Sequence, residues 1–290
     1  MSAGFDPTAP LTPSGNLKRR QLFSRFALVG ATAAAVLAVA VLVLVIYAVA
    51  SRGLSAISLD FIFKAAPDGI GPELVGTGVI VAIATLIAMP IGVLIAIFVT
   101  EYAGRRATNA VKLTLDLMNG LPSIIIALFI FGLLVETRGQ SGFAAAVALS
   151  IIEVPLVARG SQEVLRLVPA SQREAADALG VARWRSTMTI VLPAALGGIV
   201  TSTVLAVARA AGETAPLIFA TSLGNTDRYS LNPFEPLPTV PVRIYELSEE
   251  ANPAGFTEAW GLSLILISLI LFASLGARAL LARSKRKMTA

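Results

Sequence analysis

Near the end of a long apolar run stands Arg209-Ala210-Ala211-Gly212-Glu213-Thr214-Ala215-Pro216-Leu217. A guanidinium and a carboxylate four residues apart share one face of a helix. The guanidinium is permanently charged, and its planar fork of donors matches phosphate or carboxylate oxygens two at a time. Charges within a membrane-like run cost about 3 kcal/mol each and usually face a cavity or a partner. Two roles stay open for the pair: contact with an anion on its way through a membrane, or a salt bridge that only holds helices together. Arginine before glutamate is the less favourable order for a helical pair. Gly212 lets another group approach closely, and Pro216 removes one helical hydrogen bond, which frees the Gly212 carbonyl. Asp116, shortly before Pro122 in another apolar run, has the weaker case, because a place near the end of a span would leave it solvated.

Other chemistries lack their residues. The chain has no histidine and no cysteine, so the commonest metal ligand, the commonest general base and the thiolate nucleophile are all missing. Carboxylates, Ser, Thr and Lys remain, but no nucleophile and base are convincingly placed for an intramembrane enzyme. No lysine follows a glycine, so a nucleotide-binding Gly-Lys-Ser/Thr loop cannot form here. The net charge of +5 does not point to nucleic acid, because the positive residues sit beside apolar runs, where they set membrane orientation.

A second constellation is polar. Glu174 to Pro193 reads EAADALGVARWRSTMTIVLP and stands between two apolar runs. Ser171-Gln172-Arg173-Glu174 has the form of a capping box, in which Ser171 caps the helix and Glu174 reaches back to its amide. The helix would run from Glu174 to Leu179 and end at a left-handed Gly180. A further segment, Val181 to Val191, would lead to Pro193 in the first turn of the next helix. Alanines keep the short helix thin. From this local chemistry, two uses remain open: insertion into a groove on a partner, or an amphipathic loop on the membrane surface.

These residues need elements to hold them. The chain of 290 residues is 56% hydrophobic and only 14% charged, where a soluble domain is about 25% charged. This composition describes a polytopic membrane protein. A span needs about 20 mostly apolar residues, and the expected spans are 26–50, 74–100, 110–135, 142–158, 194–220 and 259–281. The fourth is short and carries Glu153 and Pro155. Ala48-Val49-Ala50 resembles a signal-peptide cleavage site, but the apolar run before it is too long for a signal, so it reads as an uncleaved span. With both termini in the cytoplasm, 17 Lys and Arg fall inside and 5 outside, an asymmetry that supports six spans. The 159–193 loop then lies in the cytoplasm, and Arg159 sits at the inner end of span four. Residues 1–25 form a largely disordered tail, residues 282–290 a basic tail, and Ser222–Thr257 a long proline-rich outer loop with a helix-compatible piece at Val242–Glu250.

Glu174-Ala175-Ala176, Gly180, Ile190, Leu192 and Pro193 resemble the cytoplasmic-loop signature of bacterial ABC-importer permeases: E-A-A, three residues, Gly, nine residues, then I-x-L-P. The run from Arg209 to Leu217 is similar to the RAxGETAPL segment of phosphate-importer permeases of the PstA type. So are Gly76-Thr77, Pro90, Glu101-Tyr102-Ala103, Asn119-Gly120-Leu121-Pro122-Ser123 and LNPFEPLPTVPVRIY, and together these cover about Gly69 to Leu281. The paired PstC-type subunit usually has Met-Ala after Gly-Glu-Thr, where this chain has Ala215-Pro216. Two positions depart from the pattern: Asp68-Gly69-Ile70 stands where Gly-Gly-Ile is frequent, and Glu153 where an apolar residue is usual.

The resemblance implies an all-α integral membrane fold, a six-span type I ABC-importer permease bundle with a cytoplasmic coupling helix. It implies a non-enzymatic subunit that passes phosphate inward across the plasma membrane. The coupling residues would be Glu174, Ala175, Ala176, Gly180, Leu192 and Pro193, docked on a dimer of ATP-binding subunits. Arg209, Glu213, Thr214 and Arg159, where the family also has an arginine, would line the substrate pathway. A PstC-type permease and an extracytoplasmic phosphate-binding protein would be the other partners, besides the lipid bilayer. No cofactor or metal is expected on this chain, because ATP and Mg would be used by the partner ATPase. A permease for another oxyanion, sulfate or molybdate, fits the loop but not the GETAPL run, and the sequence carries no separate sensor domain.

Overall fold

A computed structural model describes residues 17–250 and 252–288, and every regular element among them is helical. In chain order these are α1 (Leu17–Gly53), α2 (Leu59–Phe63), α3 (Gly71–Tyr102), α4 (Arg105–Gly120), α5 (Ser123–Arg138), α6 (Gly142–Leu167), α7 (Ala170–Ala178), α8 (Arg183–Ala210), α9 (Ala215–Thr221), α10 (Val240–Glu249) and α11 (Pro253–Met288). Of the described residues, those up to Ser51 form one body and those from Arg52 on form another. Among the described residues, five helices are long and apolar enough to cross a membrane, and α4 with α5 makes a sixth crossing if the bent pair is one span.

Several boundaries differ from expectation, each for a local reason. The expected disordered tail lies outside the described residues up to residue 16, but Leu17–Arg25 is already helix. Lys, Arg, Gln and Leu are good helix formers, and nothing there interrupts the apolar helix that follows. The third span, expected as one run over 110–135, is two arms bent by 92°. Pro122 causes this: the residue before a proline is pushed out of the helical region, and Leu121 has φ −68° and ψ 131°. The fourth helix does not stop at Ala158 but runs to Leu167, with Pro155 inside it. The basic C-terminal tail is helical to Met288.

The second body is built around α3, α6 and α8. Small residues permit this. Ala144, Ala145, Ala146, Ala148 and Ala158 of α6 are all buried, and membrane helices approach most closely where side chains are small. A Cβ on Gly160 would stand 2.3 Å from the Ser202 Cβ, and one on Gly198 2.4 Å from a Val164 methyl. These two contacts fix α6 and α8 as antiparallel. At the far end of this core from α7, Leu217 and Ala220 of α9, Leu237 and Val242 join Ile80, Val81 and Leu149 in one apolar cluster.

Thr77 pins the proline-rich loop to this core. Its hydroxyl donates to the Glu73 carbonyl at 2.7 Å and accepts from the Val240 amide at 3.0 Å, all buried. The piece expected at Val242–Glu250 is α10, which starts right after this bond. Thr77→Val should leave the Val240 N–H without a partner and cost about 2 kcal/mol of stability. Thr77→Ser keeps the hydroxyl and should cost less than Thr77→Val. Thermal unfolding of the detergent-purified subunit measures the difference, and equal losses would rule out this account of the loop.

Candidate functional site

The polar loop forms a compact elbow. α7 starts after Pro169, whose φ of −57° and ψ of 137° set the entry, and no side chain caps it. The capping box expected at Ser171 and Glu174 is therefore not made. Pro169 has already turned the chain, so Ser171 lies within the helix rather than before it. The exit is as expected from the glycine. Gly180 has φ +66°, the Val181 N–H donates to the Ala176 carbonyl at 3.0 Å, and the Gly180 N–H donates to the Asp177 carbonyl at 3.0 Å. This pair of bonds closes the last helical turn and favours a residue without a Cβ.

Ala176 is 2% exposed and faces its own chain, not outward with its neighbours. Glu174, Ala175, Asp177 and Ala178 are exposed, and the largest apolar side chains beside them are Leu179 at 82% and Trp184 at 61% exposure. The expectation that α8 starts at Pro193 also fails. The helix starts at Arg183, and Thr187–Val191 widens into a π turn immediately before Leu192 and Pro193. A proline lacks its N–H and crowds the carbonyl four residues back. The wider turn gives that carbonyl room, so the helix passes through. Leu192 packs against the buried cluster of Ala96, Leu165, Val191 and Ile199, and Pro193 is exposed.

One contact beneath α7 has no counterpart in the expected site. Arg173 donates from Nε to both oxygens of Glu101 at 3.2 and 3.3 Å, and from Nη2 to Oε1 at 2.8 Å. Nη1 also donates to the Val168 carbonyl at 2.7 Å and Nη2 to the Leu165 carbonyl at 2.9 Å. The Glu101 side chain is buried, at 6% exposure. Next to it, the Arg183 guanidinium lies 5.6 Å from the centre of the Tyr102 ring, and the Tyr102 hydroxyl donates to the Thr187 Oγ1 at 3.5 Å. The Glu101-Tyr102-Ala103 run was visible in the sequence, but partners more than seventy residues away were not.

The Arg209–Glu213 pair forms, but not on a continuous helix. α8 ends at Ala210, residues 211–214 are non-helical, and α9 begins with Pro216 in its first turn. Gly212 is a weak helix former and Pro216 cannot donate to it, so the expected 194–220 span breaks between them. Arg209 Nε stands 3.8 Å from Glu213 Oε1, with the side chains 58% and 19% exposed. Thr214 precedes α9 and is half-buried. Arg159 is not brought to this place. It pairs with Asp116, beside a polar cavity of about 160 Å³ that Lys112, Gln162 and Glu163 also line. Ser202, not Arg209, lies opposite Gly160, which puts Arg209 about 10 Å further along the bundle.

Glu153 of α6 is fully buried, and neither carboxylate oxygen has a hydrogen-bond partner. Glu73, at the start of α3, also has one buried oxygen without a partner. Within α10, partial burial pushes the Glu246 carboxyl up from its usual value, against the opposing effect of Arg243. Among the described residues, no group of three or more acidic side chains could hold a metal ion.

Residues 88–289 match the family described as "Binding-protein-dependent transport system inner membrane component". The chain is 37% identical to the phosphate transport system permease protein PstA 1 of Mycobacterium tuberculosis (strain H37Rv), over 83% of this chain and 82% of that protein. It is 33% identical to the PstA protein of Yersinia pestis, over 92% of each. Among solved structures it resembles a chain of a bacterial ABC transporter that imports the acidic polysaccharide alginate, with a TM-score of 0.63, 16% identity, and coverage of 89% of this chain and 99% of that one. It also resembles a chain of the inward-facing MetNI methionine ABC transporter, with a TM-score of 0.59, 18% identity, and coverage of 78% and 99%. At these identities the solved structures establish the fold alone.

Proposed function

Because this chain belongs to the binding-protein-dependent transport system inner membrane component family, among its PstA-type permeases, we propose that it is the permease subunit that carries inorganic phosphate inward in an ATP-driven importer. The observation that carries the substrate is the 37% identity to a PstA protein along 83% of the chain. The chemistry that supports it is Arg209. A guanidinium that its own chain leaves more than half exposed at the end of a membrane helix is costly against lipid and belongs in a cavity or at a partner. Its fork suits a tetrahedral oxyanion.

In this proposal a PstC-type permease supplies the other wall of the pathway. Arg209, Glu213 and Thr214 contribute to the passage, and Arg159, held by Asp116, guards the cytoplasmic end. The exposed surface around Glu174, Ala175, Leu179 and Trp184 docks on the ATP-binding subunit dimer, where ATP is hydrolysed with the help of Mg. An extracytoplasmic phosphate-binding protein delivers the substrate to the side bearing α10. Both termini and α7 face the cytoplasm, as the distribution of Lys and Arg favours.

Proteoliposomes holding the assembled importer test this. ATP inside the vesicles, with the binding protein and radiolabelled anion outside, should drive phosphate uptake and no sulfate or molybdate uptake. In membranes that hold this subunit without its ATPase, Glu174→Cys in this cysteine-free chain should react with an impermeant thiol reagent only from the cytoplasmic face. Uptake of sulfate in place of phosphate, or labelling from the outer face, would refute the assignment.

A further inference from the structure

We propose that the Arg173–Glu101 ion pair is the joint through which a displacement of α7 reaches the membrane helices, with Arg173 as its positioning residue. This rests on the importer assignment above. α7 is otherwise weakly held. Ala176 is its only buried side chain, and Arg173 alone among its side chains hydrogen-bonds to the rest of the chain within the described residues. A methyl group in van der Waals contact can slide. A planar guanidinium bonded to two carboxylate oxygens and two carbonyls has one geometry.

The carbonyl bonds alone would only finish α6, because Leu165 and Val168 stand at its end. Basic side chains often satisfy the last carbonyls of a helix. The bonds to Glu101 do something different: they fasten α7 to the last turn of α3. That turn is a π turn over Phe98–Tyr102. From there α3 runs the length of the core, packed along α6, with Pro90 in its interior, where a missing hydrogen bond lets a helix flex. The turn is gripped again from the other side of Gly180, by Arg183 over the Tyr102 ring and by the Thr187 bond. A polar cavity of about 290 Å³ lies between the two grips, lined by Glu101, Arg173, Asp177, Arg183, Ser186 and Thr187. It leaves room for the elbow to rock without unpacking apolar surface.

A joint and a structural brace differ in one measurable ratio, the phosphate moved per ATP hydrolysed. In proteoliposomes of the complete importer, Arg173→Lys keeps the charge but loses the fork. It should lower this ratio roughly tenfold, the scale of a typical coupling free energy, with membrane abundance and ATP hydrolysis close to those of the unsubstituted complex. Glu101→Gln should lower it less, and Gln172→Ala, an exposed neighbour, should not lower it. The chain has no cysteine, so Glu101→Cys with Arg173→Cys can be bridged by a short bis-methanethiosulfonate reagent, each thiolate displacing one methanesulfinate, in otherwise cysteine-free partners. Restoration of the ratio on bridging is the expected result. An unchanged ratio in Arg173→Lys, uptake that falls only in step with abundance, or no recovery on bridging would each overturn the proposal. The ratio is taken on whichever anion the unsubstituted complex carries, so a different substrate would count against the function assigned above and not against the joint.

Discussion

Arg209→Gln should abolish phosphate uptake while the subunit stays in the membrane, assembles and supports ATP binding by its partners. The guanidinium is permanently charged and is the kind of group that gives a crossing anion a local positive potential. Its own pairing is loose. At 3.8 Å from Glu213 and more than half exposed, the contact resembles the exposed ion pairs that contribute almost nothing to stability. Removing it should therefore leave the fold intact. Losing one bidentate contact to an oxyanion is worth about 3 kcal/mol, or roughly a hundredfold in rate. Arg209→Lys should recover little, because an ammonium cannot reproduce the fork. Glu213→Gln should be milder, since its carboxylate competes with phosphate for Arg209 and limits how tightly the anion is held. A purely structural pair predicts the opposite pattern: both single variants lose membrane abundance, and the double variant Arg209→Gln/Glu213→Gln recovers transport. Uptake and abundance measured together for all four variants decide between the two.

Leu179→Asp combined with Trp184→Asp should prevent assembly with the ATP-binding subunits, and with it all ATP-driven uptake. Both side chains are apolar and largely exposed, so charging them costs the isolated subunit little. Burying two unpaired carboxylates in an interface costs several kcal/mol. Co-purification of the ATPase with the tagged permease reads this directly, and retention of the ATPase at the unsubstituted level would remove this face as the docking surface. Gly180→Val tests the elbow itself. A β-branched residue is strained at φ +66°, so the variant should misdirect α8 and weaken the same co-purification. Ala176→Trp should act on the fold and not on the docking face. Its position is buried against the chain, so a tryptophan there should reduce abundance through overpacking, without reporting on docking.

The legible part of this protein followed from patterns that act over a few residues or along whole helices. Apolar runs long enough to span a bilayer identified the helices, because a backbone in lipid must satisfy its own hydrogen bonds. The positive φ at Gly180 and the short α10 were readable for the same local reason. The E-A-A loop and the RAAGETAPL run carried the family. Helix ends were less legible. Ser171 lost its cap to Pro169, the third span folded at Pro122, and a π turn carried α8 past Pro193, each through competition between neighbours that spacing alone does not resolve. Tertiary structure alone decided which side of α7 is inward, and so turned Ala176 from a docking residue into a core residue. It also separated Arg159 from Arg209, buried Glu153 without a partner, and brought Arg173 onto Glu101 from 72 positions away. The reason is geometric. A sequence fixes which residues share a helix face, but the facing helix, its register and the depth of each side chain are set only when α3, α6 and α8 close on one another.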